Sequence, residues 1–280
     1  MITLSKISDT NSFVKEQRKD GKTIGFVPTM GALHRGHLEL MKLAKQENDL
    51  LIVSVFVNPI QFNNSADLEK YPRDLNADAK LLEDIGCDVL FAPSVKEMYP
   101  EKVTKEYDFG LLETVMEGAS RPGHFNGVAI VISKLFEITL PHKAYFGEKD
   151  YQQLAIIKRL VDIEKIPVQI IPCSTVREPD GLAMSSRNKL LTKVERDAAS
   201  FIYNTLKFVK KSSETICPGP LRQLVVNMFN SREEFELEYF ELADDRTLQP
   251  INAWGASSGI IAFVVVRLGN VRLIDNIRII

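Results

Sequence analysis

The apolar positions of the first 175 residues alternate between short continuous runs and stretches with helical spacing. Leu50 to Val57 is a nearly continuous apolar run, which is typical of a strand in a sheet covered on both faces. Between Leu38 and Gln46 the apolar residues recur every three positions, which predicts a helix. Further strands are predicted at 23–28, 88–91, 143–146 and 168–173, and further helices at 76–85, 128–139 and 151–163. This alternation predicts an α/β fold with a doubly wound parallel sheet, whose ligands bind beyond the carboxyl ends of the strands.

The pattern changes after about residue 175. A capping box at Thr192–Glu195 predicts a helix that runs to about Lys210, and Pro218–Asn230 predicts a second helix. Apolar runs at 237–242, 260–267 and 271–274 predict strands joined by short turns. We therefore expect a parallel-sheet domain of residues 1–175 and a smaller α+β domain of residues 176–280.

The composition excludes several classes of protein. Hydrophobic residues make up 45% of the 280 residues and charged residues 26%, which excludes wholesale disorder. A net charge of −2 argues against a dedicated nucleic-acid binder. No apolar run reaches the roughly 20 residues that cross a bilayer, and the first residues do not resemble a secretory signal. Three widely spaced cysteines favour reduced thiols, so we expect a cytoplasmic protein that binds neither membrane nor nucleic acid.

The segment Pro28–His37 follows the first strand of this pattern and leads into the helix after it. Gly31 and Gly36 allow the backbone to approach a ligand closely, and the start of a helix offers N–H groups to phosphate. His34 and His37 lie three residues apart and share one face of the turn, where imidazoles can donate hydrogen bonds or protons to a polyphosphate. Two surface histidines at the start of a helix are the alternative interpretation.

Two later segments carry cations that suit phosphate. Met184–Arg187 combines two hydroxyl groups with a guanidinium group in a loop after a glycine. Lys149 follows another predicted strand and would supply a mobile positive charge, while Asp150 either caps the next helix or accepts ribose hydroxyl groups. Taken alone, each segment is explained better as an ordinary loop or capped turn. Together with the two histidines they favour a nucleotide site.

Neutral and basic side chains elsewhere are candidates for binding a second substrate. Asn58 and Gln61 follow the strand that begins at Leu50 and suit an uncharged, hydroxylated group. Arg121 and His124 precede a predicted helix and suit a carboxylate or a phosphate. An Asn-Pro turn and a rigid Pro-Gly loop explain the same residues without a function.

These segments resemble known motifs. His34–His37 resembles the His-x-Gly-His signature of the nucleotidyltransferase and class I aminoacyl-tRNA synthetase superfamily, and Met184–Arg187 is similar to its second, mobile loop. The chain as a whole closely resembles the pantothenate synthetase family, also called the pantoate–β-alanine ligases. The matching segments, in the family's order, are 28–37, 53–62, 71–74, 121–128, 144–154, 175–188 and, more loosely, 272–276. His142 stands where the family commonly has Asp, and residues 205–260 match poorly.

The resemblance implies a Rossmann-type domain, a small carboxyl-terminal lid domain and a homodimer. It implies that ATP, accompanied by Mg²⁺, reacts with pantoate to give pantoyl adenylate and pyrophosphate, after which β-alanine attacks the acyl carbon to give pantothenate and AMP. By position it places ATP at Met30, Gly31, Ala32, Leu33, His34, Arg35, Gly36, His37, Gly147, Glu148, Lys149, Asp150, Val176, Met184, Ser185, Ser186 and Arg187. The expected catalytic residues are His34, His37, Lys149 and Arg187, with His37 as the acid. The expected substrate-binding residues are Gln61, Gln153, Asn58, Arg121 and His124, and no metal ligand is assigned.

Two other functions share part of this pattern. Another adenylyl- or cytidylyltransferase would use the histidine signature with different substrate loops. An RNA-binding module related to the synthetases would also carry the signature, although the near-neutral charge and the lack of a basic stripe argue against it.

Overall fold

The computed structural model of the chain describes residues 1–63, 68–69 and 71–280. A parallel sheet of six strands has the order β1-β4-β3-β2-β5-β6. Its strands are β1 (Ile2–Leu4), β2 (Ile24–Thr29), β3 (Leu50–Val55), β4 (Val89–Phe91), β5 (Lys143–Gly147) and β6 (Gln169–Cys173). The chain passes from β2 outward through β3 to β4 and then returns to β5 on the other side of β2. The carboxyl ends of β2 and β5 therefore flank the switch point of the sheet, where such folds bind ligands.

Helices cover both faces of this sheet. They are α1 (Ile7–Lys19), α2 (Arg35–Glu47), α3 (Leu75–Asp84), α4 (Val95–Met98), α5 (Met116–Ser120), α6 (His124–Thr139) and α7 (Tyr151–Glu164). Phe26 and Ile52 belong to the apolar cluster that contains α6, whereas their neighbours Val27 and Val53 belong to the cluster that contains Met41 of α2. Adjacent residues of one strand are thus buried on opposite faces, which explains the continuous apolar runs.

A second sheet follows the first along the chain. Its antiparallel strands are β7 (Phe235–Asp244), β8 (Ile260–Leu268) and β9 (Val271–Arg278). Three helices, α8 (Lys193–Ala198), α9 (Ser200–Ser212) and α10 (Pro218–Asn230), precede it. Leu206, Phe229 and Val264 lie in an apolar cluster of this part alone. In the described part of the chain, every helix is too short or too polar to cross a membrane.

The predicted parallel sheet followed by a smaller α+β part is confirmed. The prediction of a single helix from Thr192 is wrong, because a turn at Ala199 separates two helices, α8 and α9. There the N–H group of Ile202 bonds to the carbonyl of Ala199, three residues earlier. The sequence pattern does not predict β1 or α1, because β1 has three residues and α1 buries only Thr10 and Val14.

His142, which departs from the family pattern, has a structural role at the start of β2. Its Nδ1 accepts a hydrogen bond from the Ile24 N–H group at 2.9 Å. Burial, followed by the charge of Arg18, lowers the pKa of His142 and so keeps this nitrogen an acceptor. The ring thereby offers an acceptor where a carboxylate would offer one.

Candidate active site

A cavity of about 260 Å³ opens at the carboxyl ends of β2 and β5. Fifteen of the predicted site residues line it: Met30, His34, Gly36, His37, Asn58, Gln61, Gly147, Lys149, Asp150, Gln153, Val176, Met184, Ser185, Ser186 and Arg187. These residues come from four separated segments, so the fold of the whole chain brings them together. The cavity lies at the switch point of the sheet, as the strand order predicts.

The two histidines stack against each other at the start of α2. Their ring centroids are 4.0 Å apart, and Nδ1 of His34 accepts a hydrogen bond from the Gly36 N–H group at 3.1 Å. Burial, together with the charge of Lys149, lowers the pKa of His34 to about 4, and burial lowers the pKa of His37 to about 3. Both rings are therefore neutral at pH 7, and each carries one N–H group that can donate a hydrogen bond. Nδ1 of His37 is buried without a hydrogen-bond partner among the described residues, so a ligand atom is its natural partner.

Asp78, which sequence reasoning does not single out, holds the turn before these histidines. Its carboxylate accepts hydrogen bonds from the N–H groups of Ala32 at 3.0 Å and Leu33 at 2.8 Å. Gly31 has φ +80°, and a Cβ there would lie 2.7 Å from the same carboxylate. Gly31, Ala32 and Leu33 shape the turn but do not line the cavity, and the exposed Arg35 does not line it either. Asp78 lies in α3, and nothing in the sequence near it indicates this contact.

A short 3₁₀ turn, Glu148–Asp150, presents Lys149 to the cavity. The Lys149 side chain is 18% exposed, and its Nζ lies 3.8 Å from the Asp150 carboxylate. Asp150 makes no side-chain capping bond to α7, and it lines the cavity. The side chain of Glu148 is not among the cavity walls.

The loop after β6 adds the remaining candidates for binding phosphate. The Met184 N–H group donates to the Val176 carbonyl at 2.9 Å, which folds the loop back over the carboxyl end of the sheet. Ser185 Oγ accepts a hydrogen bond from the Arg187 N–H group at 3.2 Å. The Arg187 side chain is exposed and lines the mouth of the cavity. This segment thus faces Lys149 and the histidines.

Asn58 positions Gln61 within the cavity. Asn58 is 1% exposed, and its Nδ2 donates to Gln61 Oε1 at 3.1 Å and to the Gly127 carbonyl at 3.0 Å. Its Oδ1 accepts from the Tyr99 hydroxyl group at 2.9 Å. The Gln61 amide nitrogen in turn lies 3.2 Å from the Met30 sulfur. Because a thioether is a weak acceptor, this amide can exchange that contact for a stronger ligand acceptor.

Gly127 leaves no room for a side chain beside Gln61. A Cβ at position 127 would lie 2.7 Å from the Gln61 Cα and 2.8 Å from its backbone nitrogen. We expect Gly127→Ala to lower the free energy of unfolding by about 1–3 kcal/mol, because the added Cβ forces the backbone of Gln61 to move. The higher helix propensity of alanine offsets only part of this loss. Urea unfolding measures this change. Gly219→Ala is the matched control, because a Cβ there would have no atom of the described residues within 4 Å. Equal stability of both variants would contradict the close packing.

Arg121 and His124 line a second, larger cavity of about 630 Å³, whose other walls include strands β7 to β9 of the smaller sheet. Residues shared with the first cavity include Lys149, Asp150, Gln153, Ser185, Ser186 and Arg187. Two hydrogen bonds fix the tautomer of His124: Nδ1 donates to the Gln61 carbonyl at 2.8 Å, so Nε2 accepts from Arg121 Nη1 at 3.1 Å. Burial, with the charge of Arg121, lowers the pKa of His124 to about 4. Arg121 is thereby tied to Gln61 through a neutral ring.

An ion pair crosses the second cavity. Arg272 of β9 donates two hydrogen bonds to the Glu117 carboxylate, at 2.9 and 2.6 Å, and the Tyr239 hydroxyl group of β7 donates a third at 2.9 Å. Burial alone would raise the pKa of Glu117, but the bonds from Arg272 outweigh it and the pKa is lowered. The smaller sheet is therefore fastened to the segment just before Arg121.

Comparison with known proteins gives a consistent result. A family model described as pantoate-beta-alanine ligase matches residues 2–278. The pantothenate synthetase of Azobacteroides pseudotrichonymphae is 53% identical over 278 residues, which is 99% of each chain. That of Bacteroides fragilis is 48% identical over 278 residues, again 99% of each chain.

Solved structures resemble the fold over the same length. The pantothenate synthetase of Thermus thermophilus has a TM-score of 0.93 at 40% identity and covers 100% of this chain and 99% of its own. The pantoate-beta-alanine ligase of Francisella tularensis, complexed with beta-gamma ATP and beta-alanine, has a TM-score of 0.84 at 41% identity. It covers 99% of this chain and 97% of its own.

Proposed function

This chain belongs to the pantoate–β-alanine ligase family, and on that premise we propose that it joins pantoate to β-alanine through a pantoyl adenylate, consuming ATP and releasing AMP and pyrophosphate. The observation that carries this proposal is the convergence of His34, His37, Lys149 and Arg187 beside Gln61 in one cavity. The same cavity is also lined by the neutral amides of Asn58, Gln61 and Gln153.

In the first step, the pantoate carboxylate attacks the α-phosphorus of ATP, and pyrophosphate leaves. No protein nucleophile is needed, so the protein has to align the reactants and to stabilise charge on the leaving group. Lys149 and Arg187 supply positive charge to the departing phosphates. The neutral rings of His34 and His37 donate hydrogen bonds, and an anionic phosphate beside them raises their pKa toward a proton-donating range.

In this proposal, pantoate binds beside the neutral amides that line the cavity. Gln61 and Gln153 line it, and Asn58 fixes the orientation of the Gln61 amide. A substrate hydroxyl group would replace the weak sulfur contact of Gln61 with a full hydrogen bond. Arg121 and His124 would add substrate contacts from the second cavity, which shares Gln153 with the first. The second cavity would receive β-alanine.

We assign Mg²⁺ to the nucleotide rather than to a protein cage. Within residues 1–63, 68–69 and 71–280, no group of three or more His, Cys, Asp or Glu side chains could hold a metal ion. Mg²⁺ typically binds substrate phosphates with one or two carboxylates, and Asp150 in the cavity wall is the carboxylate that fits. The bound ion would spread the negative charge of the triphosphate.

The proposal extends to the organisation of the molecule. We assign residues 1–175 to an ATP- and pantoate-binding domain and residues 176–280 to a lid domain, in a cytoplasmic homodimer. The Glu117–Arg272 contact supports a lid that fastens across the second cavity. Sedimentation equilibrium tests the dimer, and protection from proteolysis at Arg187 by ATP with Mg²⁺ tests the lid.

The decisive experiment measures the two half-reactions separately. We expect labelled pyrophosphate to exchange into ATP when pantoate is present and β-alanine is absent. Addition of β-alanine should then release pantothenate and AMP. Formation of ADP, or an exchange that requires β-alanine, would refute the adenylate route even if pantothenate were formed.

Replacing Gln61 tests the proposed pantoate-binding amides. We expect Gln61→Ala to lower kcat/KM for pantoate in the exchange assay by about 5- to 150-fold, because a buried substrate hydroxyl group loses its partner at a cost of about 1–3 kcal/mol. The exposed Gln223 of α10 provides the matched control, Gln223→Ala, which should leave the rate unchanged. Equal rates for both variants would remove Gln61 from the pantoate site.

A further inference from the structure

Asn276 of β9 braces the turn that carries Lys149. Its side-chain amide donates one hydrogen bond to the Glu148 carbonyl and one to the Lys149 carbonyl, both at 2.9 Å. These two carbonyls lie on either side of the Lys149 Cα, so the single amide fixes the backbone from which the lysine extends. Both N–H groups of the amide are thereby used, and Asn276 itself is buried.

The preceding residue braces a second segment of the same cavity. The Asp275 carboxylate receives two hydrogen bonds from Arg177, at 2.6 and 3.0 Å, and one from the Asn276 N–H group at 2.8 Å. Arg177 in turn donates to the Gly181 carbonyl at 3.0 Å, and its guanidinium lies 3.8 Å from the centre of the Tyr203 ring. This chain of contacts ends in the loop that leads to Arg187.

Two adjacent residues of one strand therefore hold two phosphate-binding segments in a fixed relation. We propose that Asn276 is a positioning residue, which acts through Lys149 and sets its charge against the Arg187 loop, while Asp275 and Arg177 hold that loop. The inference rests on the proposed role of Lys149. Positioning matters because a displacement of about 1 Å at a reacting centre costs up to about 100-fold in rate.

The experiment compares kcat for pantoate-dependent pyrophosphate exchange in Asn276→Ala and in Gln249→Ala. Gln249 is the matched control, because its side-chain amide also donates to a backbone carbonyl of a distant segment, that of Leu111 at 3.1 Å, which does not belong to the Lys149 turn. We expect Asn276→Ala to lower kcat by about 10- to 100-fold and Gln249→Ala to leave it unchanged. The KM for pantoate should change little in either variant.

A double-mutant cycle separates positioning from a general loss of folded enzyme. In a Lys149→Ala background, Asn276→Ala should lower the rate by less than about 3-fold, because the group it positions is already gone. A loss of folded enzyme would lower the rate equally in both backgrounds, and this additive result would overturn the inference. Should Asn276→Ala fail to fold, Asn276→Ser replaces it in the same double-mutant cycle. The serine hydroxyl group can donate to only one of the two carbonyls, so the turn still loses one of its two hydrogen bonds.

The outcomes distinguish this inference from the proposed function. An unchanged rate in Asn276→Ala, together with a large loss in Lys149→Ala, would overturn only the positioning role. An unchanged rate in Lys149→Ala would overturn the assignment of Lys149 and the inference with it. A wild-type protein without pantoate-dependent exchange would refute the adenylate route itself.

Discussion

We expect Lys149→Ala to lower the rate of pantoate-dependent pyrophosphate exchange by about 100-fold or more, because loss of a charge that stabilises the transition state costs about 3 kcal/mol. The lysine is the cation on the short turn after β5, and it lies at the switch point of the sheet. Among the described residues, its nearest carboxylate is that of Asp150 at 3.8 Å, which is too far for a tight ion pair. Stability should therefore change by less than about 1 kcal/mol.

Steady-state kinetics and urea unfolding measure the two effects side by side. Lys158→Ala is the matched control, because this lysine is exposed on α7, the helix that follows the same turn. It should leave both rate and stability unchanged. A Lys149→Ala enzyme with the wild-type exchange rate would remove Lys149 from the catalytic group.

The second large effect concerns the ion pair between Arg177 and Asp275. The Asp275 side chain is 2% exposed, and burial raises its pKa although Arg177, and more weakly Lys149, act in the opposite direction. We expect Arg177→Met to lower the free energy of unfolding at pH 7 by about 3–5 kcal/mol, because it leaves a buried carboxylate without its partner. Methionine keeps an apolar chain against Tyr203, so lost packing contributes little.

This loss should depend on pH. Without Arg177, the pKa of Asp275 rises further above its unfolded value of about 3.9, so the folded variant binds a proton that the unfolded chain releases. The variant therefore regains stability relative to the wild type as pH falls from 7 toward 4. Urea unfolding at several pH values measures the trend.

Arg196→Met is the matched control for this pair. Arg196 pairs with Asp180, and both side chains are about a third exposed. A surface pair of this kind contributes about 0–1 kcal/mol. The expectation would be contradicted if Arg177→Met lost as little free energy of unfolding as Arg196→Met, or if its loss did not shrink with falling pH. Either result would show that the Asp275 carboxylate has found another partner.

The strands of the parallel sheet and the histidine turn could be predicted from short local patterns in the sequence. The run from Leu50 is apolar on both faces because both faces are covered, and a run of that kind can be recognised without knowing its neighbours. His34 and His37 could be paired because one helical turn separates them. The residues nearest the expected chemistry were thus open to prediction from short segments, although their roles as catalytic or binding groups stay predictions.

The supporting residues could not be predicted in that way. Asp78 holds a turn 45 residues earlier in the chain, and Arg272 bonds to Glu117, 155 residues away. An aspartate in a helix and an arginine in a strand look like ordinary surface residues. Their partners are set by how β-strands and helices pack, which a single sequence does not reveal. The segment 272–276 matched the family loosely, but no residue type within it indicated a contact with Lys149.

The distance along the chain between Lys149 and Asn276 also orders events during protein synthesis. The two residues are 127 positions apart, which corresponds to about 6–25 s on a ribosome that adds 5–20 residues per second. The strands β1 to β6 are all made before β9 emerges, and amino-terminal parts generally fold first. We therefore expect a nascent chain to form its parallel sheet before Asn276 can bond to the Lys149 turn. On the proposed role of Asn276, we expect full activity to require that β9 has docked, some seconds after the cavity walls have formed.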